Sequence, residues 1–261
     1  MDVDRVLMSR ESKSVKRRDM LRYALWALMV QTAYANRQHY HMVTTWLPHF
    51  LTNTAALLLP DVLRRVFSKT HQPRNIVEET LIAAVRDNPS YASQIAPLTL
   101  GYIISHPRFN IYKGELAQLR FGGLGLDAIP HGVTAFTLSS LIMETLTTIQ
   151  QRNCYTGLLA DLARWGSRKP ALTTFGLLAL LTAFWESGEY RIYRYEMLIR
   201  GNLDAINMQW SRADTARDIA TNMLCCLAAL RWHQRQQAER SRIHVDGVAD
   251  DEVMRRRLVK G

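Results

Sequence analysis

Six apolar segments of helix length lie between residues 20 and 230, and they constrain the fold more than any other feature. They are residues 20–36, 41–60, 91–106, 126–149, 170–185 and 215–230. Two lie within longer runs, 38–60 and 88–107, that contain no Asp, Glu, Lys or Arg. A helix needs about 20 apolar residues to cross the hydrocarbon core of a bilayer. The segments therefore predict an all-α fold, a polytopic transmembrane bundle of about six spans.

Two stretches between these segments are amphipathic rather than apolar. Residues 76–85 and 157–165 each place apolar side chains at helical spacing beside charged ones. Such helices lie in the membrane interface, so one or two interfacial helices are expected. A helix that covers the end of the bundle is the alternative interpretation. Strand patterns and hairpin turn signals are nearly absent, so no sheet is predicted.

Basic residues concentrate at both ends of the chain, whose net charge is +10. Cytoplasmic segments of membrane proteins carry an excess of Lys and Arg, so both termini are predicted to be cytoplasmic, in a multi-pass protein of the inner cell membrane. We expect three parts: a basic segment 1–19, a transmembrane domain 20–232 and a disordered charged tail 233–261. The expected partner is the lipid bilayer, with anionic lipid at the basic termini; nucleic acid is not expected.

A soluble helical binding protein with basic ends is the alternative to a membrane protein. The mean hydropathy of −0.14 favours this alternative, because a protein with six spans is usually more apolar. Tryptophans favour the membrane, because they mark segment ends as they do in membrane interfaces. These tryptophans are Trp46, Trp185, Trp210 and Trp232.

Three short polar stretches interrupt the last three apolar segments. Asp127 and His131 are four residues apart at the start of the fourth segment, so they share a helix face. Glu186 and Glu189 follow the fifth segment, three residues apart. The sixth begins with a polar stripe at spacing i, i+4, i+8, formed by Asp214, Asp218 and Asn222. Antiparallel neighbouring helices would bring all three stretches to one depth, so they predict one shared polar site.

The predicted binding cluster has eight members. They are Asp127, His131, Glu186, Glu189, Arg212, Asp214, Asp218 and Asn222. His131, Glu186 and Asp218 are the candidate ligands of a divalent metal, because carboxylates and imidazole together suit Mg, Ca, Mn or Zn. The alternative is a structural network in which Arg212, Arg191 and helix N-termini satisfy the carboxylates, with Asp214 as a cap or first-turn acid.

Four other residues are weaker candidates. His39 and His41, in the first link, could join a metal site, although histidines in exposed links are common. His49 is expected to pack or to lie at the interface. Glu144, deep in the fourth segment, is expected to pair with a basic residue of a link or to extend to the interface.

The three polar stretches resemble the VanZ-like and YjdF-like families of small polytopic bacterial membrane proteins. The resemblance rests on DAIPHGVTAF, FWESGEY and RADTARDIATN and covers roughly residues 120–232. It implies an integral membrane protein. VanZ-like members are linked to glycopeptide-antibiotic tolerance, which implies a role in the cell envelope.

The expected function is that of an envelope protein that binds or handles a polar or lipid-linked small molecule. The alternative is a membrane-embedded enzyme, dependent on a metal or on acid–base catalysis, that acts on lipid headgroups. Motifs of the common hydrolases, NTPases and dinucleotide-binding enzymes are absent from the sequence. Whether the protein is an enzyme stays open at this point.

Overall fold

The computed structural model describes residues 3–40, 43–68, 70–151, 155–202 and 210–258. His41 lies outside these ranges. The helices are α1 (Val3–Tyr40), α2 (Val43–Val66), α3 (Ile76–Leu81), α4 (Tyr91–Ile103), α5 (Glu115–Gln118), α6 (Ala128–Gln151), α7 (Leu158–Ser167), α8 (Pro170–Arg200) and α9 (Arg212–Leu258). A π-helical turn, Ile82–Arg86, continues α3. The all-α expectation is confirmed.

Helices α1, α2 and α4 pack together around an apolar core in the first half of the fold. Buried side chains from all three helices meet there, with Met29 and Leu57 fully enclosed and Ile95 almost so. The Tyr91 hydroxyl donates a hydrogen bond to the carbonyl of Ala56, which ties α4 to α2 at 2.8 Å.

A network of four charges joins the end of α2 to α1. Arg22, only 2% exposed, donates to Asp61 at 2.9 Å and to Asp19 at 2.6 Å. Arg64 donates to Asp19 at 3.0 Å. Burial alone would raise the pKa of the Asp19 and Asp61 carboxyls, but hydrogen bonds from the arginines outweigh it and lower both pKa values.

Helices α6, α8 and α9 form the second half, and α6 also packs against α4, so it joins the two halves. The second core is formed by Ala135, Met143, Leu178, Cys226 and Leu230. Gly132 lies on the side of α6 that packs against α9. A Cβ atom at Gly132 would lie 2.9 Å from Cys225 Sγ and 3.3 Å from Thr221 Cγ2. The absence of a side chain at this position therefore sets the distance between the two helices.

A short hairpin leads the chain into α6. Strands β1 (Arg120–Phe121) and β2 (Leu124–Gly125) pair antiparallel. Gly122 and Gly123 connect them, both with positive φ (57° and 85°). Positive φ at both central residues defines a type I′ turn, which matches the twist of the two strands in a two-residue hairpin. Glycine adopts this conformation without strain. The expectation of no strand pairing is wrong for this one turn, because the Gly-Gly pair is itself a hairpin signal.

Helix α8 is longer than the predicted apolar segment. Pro170 starts it, and Gly201, with φ of 65°, ends it. The apolar run stops at Trp185, but the sequence that follows contains good helix formers, so the helix continues for about four more turns. The placement of Glu186 and Glu189 at a helix end is therefore wrong: they lie mid-helix, where its apolar stretch ends.

Both chain ends are helical where the structure describes them. Residues 3–19 of the basic segment form the first half of α1, so they are continuous with the first apolar segment. The tail expected to be disordered from residue 233 is helical as far as Leu258, as part of α9. Residues 233–258 contain six Arg and three Gln, and both residue types have a high helix propensity.

The two predicted interfacial helices differ in their exposure. Helix α3 and its π turn bury Ile76, Ile82 and Val85 against the bundle, so they cover its end. Asn75 caps α3 by accepting hydrogen bonds from the amides of Val77 and Glu78. Helix α7 instead exposes an apolar face. Its exposed side chains are Leu158, Leu159, Leu162 and Trp165.

Two of the described helices, α6 and α8, are long and apolar enough to cross a membrane. Helix α4, with 13 residues, extends only about 20 Å, which is less than the roughly 30 Å of a bilayer core. Helices α1 and α9 each contain one apolar segment, which continues into a long charged extension of the same helix.

Candidate functional site

Three side chains from three different helices meet between α6, α8 and α9. They are His131 in the first turns of α6, Glu186 in the middle of α8 and Asp218 in the second turn of α9. One ligand atom of each lies within 4.8 Å of the others. Both carboxylates are buried, with 6% of each side chain exposed. One member of each polar stretch found in the sequence thus contributes to one cluster.

The elements around His131 hold it close to α9. His131 precedes Gly132, which packs against Cys225 and Thr221 of α9. The amide of His131 donates to the carbonyl of Asp127, which closes the first turn of α6. Pro130 lies in this first turn, where an amide donor is not needed. The imidazole is therefore placed by regular helix geometry.

An open cavity of about 410 Å³ adjoins the cluster and shares Glu186 with it. Its lining residues are Glu186, Ser187, Tyr190, Arg191, Trp210 and Thr215. Three of them carry a buried polar atom that has no hydrogen-bond partner among the residues that the structure describes: Glu186 Oε1, Trp210 Nε1 and Thr215 Oγ1. Such atoms are uncommon in folded proteins, and their concentration at one cavity is typical of a binding site.

Glu189 lies one turn beyond Trp185 and is held by it. The indole Nε1 of Trp185 donates to Glu189 Oε1 at 2.8 Å. The ring of His49, from α2, contacts the Trp185 ring with centroids 4.8 Å apart. Glu189 is therefore engaged by a neighbour on its own helix, and His49 packs as the sequence indicated.

The acidic residue of the first turn of α9 is paired within that helix. Asp214 accepts a hydrogen bond from Arg217 at 2.7 Å. Ser211 caps the helix instead, because its hydroxyl accepts from the amide of Asp214. Within the described part of the chain, the exposed Arg212 forms no ion pair with the cluster. The membership of Arg212 in the binding cluster therefore stays a prediction; the i, i+3 spacing of Asp214 and Arg217 could have identified the partner of Asp214.

Asp127 lies directly before α6, at the rim of the cluster. Its carboxylate accepts from the amide of Ala128 at 3.1 Å. A Cβ atom at Gly125 would collide with both the Asp127 carboxylate and the Arg120 guanidinium, so the hairpin holds an arginine beside this aspartate. Sequence reasoning did not include Arg120.

Asn222 lies one turn beyond Asp218, and its amide donates to the Thr182 hydroxyl at 3.3 Å. Thr182 is one turn before Glu186 on α8 and is buried. The contact between Asn222 and Thr182 therefore links α8 to α9 next to the two carboxylates and keeps their turns at the same level.

Tyr112 belongs to the same environment, although sequence reasoning missed it. Burial raises the pKa of its phenol. Three carboxylates raise this pKa further: those of Glu189, Asp127 and Asp218. The Tyr112 hydroxyl donates to the carbonyl of Gly101 at 3.1 Å. No motif marks this tyrosine, because it comes from the loop before α5 and only the tertiary fold brings it near the cluster.

Two other candidates lie elsewhere. His39 is exposed at the end of α1 and packs edge-on against Tyr40, with ring centroids 4.7 Å apart. Glu144 accepts hydrogen bonds from Gln94 at 2.7 Å and from Asn88 at 3.4 Å. The expectation of a basic partner for Glu144 is therefore wrong, since two amides of the α4 region satisfy the carboxylate.

No protein-family model, curated protein or solved structure matches the chain. The interpretation of the site therefore depends on its geometry and chemistry alone.

Proposed function

We propose that this chain is an integral membrane protein of the cell envelope that binds a polar or lipid-linked small molecule at a divalent-metal site. The metal ligands would be His131, Glu186 and Asp218, and the molecule would occupy the adjacent cavity. The observation that carries the proposal is the convergence of these three side chains, together with the unpartnered Glu186 oxygen beside the cavity.

The exposure pattern of α8 supports the membrane part of the proposal. Its buried face is largely polar, with Thr174, Thr182 and Glu186, whereas Leu180 and Phe184 are 69% and 79% exposed. A soluble helix has the opposite arrangement, because apolar burial is the main force that holds such a helix in place. In lipid, exposed leucines cost nothing, and polar groups face the bundle interior. The proposed spans are α6 and α8; the six-span arrangement and the cytoplasmic termini stay predictions.

The position of the cluster along α8 fits a site at headgroup depth. Glu186 lies 16 residues after Pro170, about 24 Å along the helix. His131 and Asp218 lie near the starts of their helices. A polar or charged group held there would lie near one edge of the hydrocarbon core, which is roughly 30 Å thick.

The donor set suits a divalent first-row metal ion such as Mn²⁺. Imidazole plus two carboxylates is a mixed nitrogen and oxygen set, and such sets bind Mn²⁺, Fe²⁺ or Zn²⁺. Around a tetrahedral Zn²⁺, ligand atoms lie about 2.1 Å from the metal and therefore ~3.4 Å from one another. The ligand atoms of His131, Glu186 and Asp218 lie within 4.8 Å of one another, so side-chain movements of about 1 Å would bring them to that separation. Three protein ligands would leave a coordination position open for a bound molecule.

Membrane extraction tests the first part of the proposal. The protein is expected to stay in the membrane pellet after alkaline carbonate washing and to dissolve only in detergent. Release by carbonate would instead support a soluble helical protein.

Calorimetric titration of the detergent-solubilised protein with Mn²⁺ or Zn²⁺ tests the second part. One ion per chain is expected, and Glu186→Gln and Asp218→Asn should each abolish binding. Glu189→Gln is the matched control, because Glu189 belongs to the same helix and bonds to Trp185 rather than joining the three ligands. Equal loss in the control, or no binding by the unchanged protein, would contradict the metal site.

A metal-dependent enzyme acting on lipid headgroups is the second candidate. A metal ion held by only His131, Glu186 and Asp218 would keep an open coordination position, which could activate water or polarise a phosphoryl oxygen. Release of a product from a headgroup substrate by the metal-loaded protein, lost in His131→Ala, would distinguish this candidate from a binding protein. The relation to VanZ-like and YjdF-like proteins stays a prediction.

A further inference from the structure

Two residues that line the cavity beside the cluster, Arg191 and Trp210, have side chains that can only donate hydrogen bonds. The Ser187 hydroxyl already donates to the carbonyl of Ala183 at 2.7 Å, and Thr215 lies beside Glu186. The buried indole N–H of Trp210 has no hydrogen-bond partner among the described residues. Arg191 is exposed, five residues after Glu186, and forms no ion pair with a residue of the described ranges. Unused donors around an unpaired cation are typical of a site for an anion.

The neighbouring carboxylates would repel an anion unless a cation lies between them. Glu186 and Asp218 carry two negative charges when ionised, and a divalent ion bound by them neutralises these charges. An oxygen of the anion can then complete the metal coordination while Arg191 binds its other oxygens. Phosphate fits this arrangement, because it bridges a divalent metal and a guanidinium with separate oxygen atoms.

We infer that the site binds a phosphate group, held jointly by the metal ion on His131, Glu186 and Asp218 and by Arg191. This inference rests on the proposed metal site. Two sources share the chemistry: a phospholipid or lipid-linked phosphate at headgroup depth, and free phosphate from the aqueous phase. Aromatic rings beside the cavity, Tyr190 and Trp210, lie 4.8 Å apart at their centroids and could instead bind a quaternary ammonium group. Arg191 argues against that cation by direct repulsion.

The experiment uses the full chain in detergent, loaded with Mn²⁺. Paramagnetic broadening of the ³¹P signal measures the binding of inorganic phosphate and of dihexanoyl phosphatidic acid. Hexyltrimethylammonium serves as the cationic probe in parallel calorimetry. Phosphate binding is expected only with Mn²⁺ present. Binding of the lipid tenfold tighter than that of inorganic phosphate would identify a lipid source, and equal binding would identify free phosphate.

Arg191→Gln is the decisive variant, with Arg194→Gln as its matched control. Arg194 is also exposed on α8, but it does not line the cavity. Its guanidinium carbon lies over the Tyr190 ring, 6.0 Å from the ring centroid. Arg191→Gln is expected to weaken phosphate binding about tenfold or more while Mn²⁺ affinity stays within about twofold. Melting temperatures of both variants confirm that they fold.

The outcomes separate this inference from the metal site itself. If the unchanged protein binds no Mn²⁺, the proposed metal site is wrong, and the phosphate inference is overturned with it. If Mn²⁺ binds but phosphate does not, or if the two arginine variants bind phosphate equally, only the phosphate inference is overturned. Binding of the ammonium probe in preference to phosphate also overturns it.

Discussion

Replacing Gly132 with valine tests whether the α6–α9 contact sets the geometry of the cluster. A Cβ atom there lies 2.9 Å from Cys225 Sγ, so the contact must open by about 0.5 Å to reach ordinary van der Waals distance, and the γ-methyl groups require more. Overpacking of this kind costs about 1–3 kcal/mol. Opening the helix pair also moves His131, the residue directly before Gly132, away from Asp218.

The matched control is Gly176→Val. Gly176 lies on α8, and a Cβ atom there meets nothing within 4 Å. Valine is slightly better than glycine in a helix, so this variant should be neutral or stabilised by a few tenths of a kcal/mol. In Gly132→Val, adding Cys225→Ala removes the closest sulfur atom and should restore part of the lost stability, as expected for coupled neighbours.

Thermal unfolding in detergent and Mn²⁺ titration measure the two effects. Gly132→Val is expected to lower the melting temperature by several degrees, at roughly 2–4 °C per kcal/mol for a chain of this size, and to weaken Mn²⁺ binding. Equal behaviour of the two valine variants would refute the reasoning. So would full stability of Gly132→Val with no further change on adding Cys225→Ala.

Three more predictions follow from contacts in the structure. Asp61 has a lowered pKa in the folded state, so its carboxylate stabilises the fold fully above about pH 4, and this stabilisation is lost as the pH falls below about 4. In unfolding measured as a function of pH, the difference in free energy of unfolding between the wild type and Asp61→Asn should therefore shrink as the pH falls below about 4. Gln94→Ala should cost about 1–3 kcal/mol by removing the 2.7 Å hydrogen bond to Glu144, whereas the exposed Ser93→Ala should change stability by less than about 0.5 kcal/mol in the same unfolding assay. Tyr112→Phe should lower stability by about 1 kcal/mol through loss of the hydrogen bond to Gly101 and leave Mn²⁺ affinity within about twofold; a tenfold change in titration would make Tyr112 part of the site.

The sequence by itself determined the helical class and the three stretches from which the cluster is built. Apolar runs of helix length, with few strand signals, leave helix as the only regular structure that satisfies the backbone. His131, Glu186 and Asp218 could be singled out because a charged or imidazole group within an apolar helix is costly unless it has a partner or a use. The positions of His131, Glu186 and Asp218 in the sequence did not determine how far apart their side chains lie in the fold.

Only the tertiary structure decided which members of those stretches meet. Asp214 pairs with Arg217 and Glu189 with Trp185, because each has a closer partner within its own helix than across the bundle. Arg191 and Trp210 line one cavity because α8 packs against α9, and Tyr112 is brought near the cluster by a loop that no sequence pattern marks. Helical periodicity makes residues three and four positions apart neighbours on one helix face. Contacts between residues distant in the chain depend instead on how the helices pack against each other. For α6 and α9, this packing depends on the absence of a side chain at Gly132.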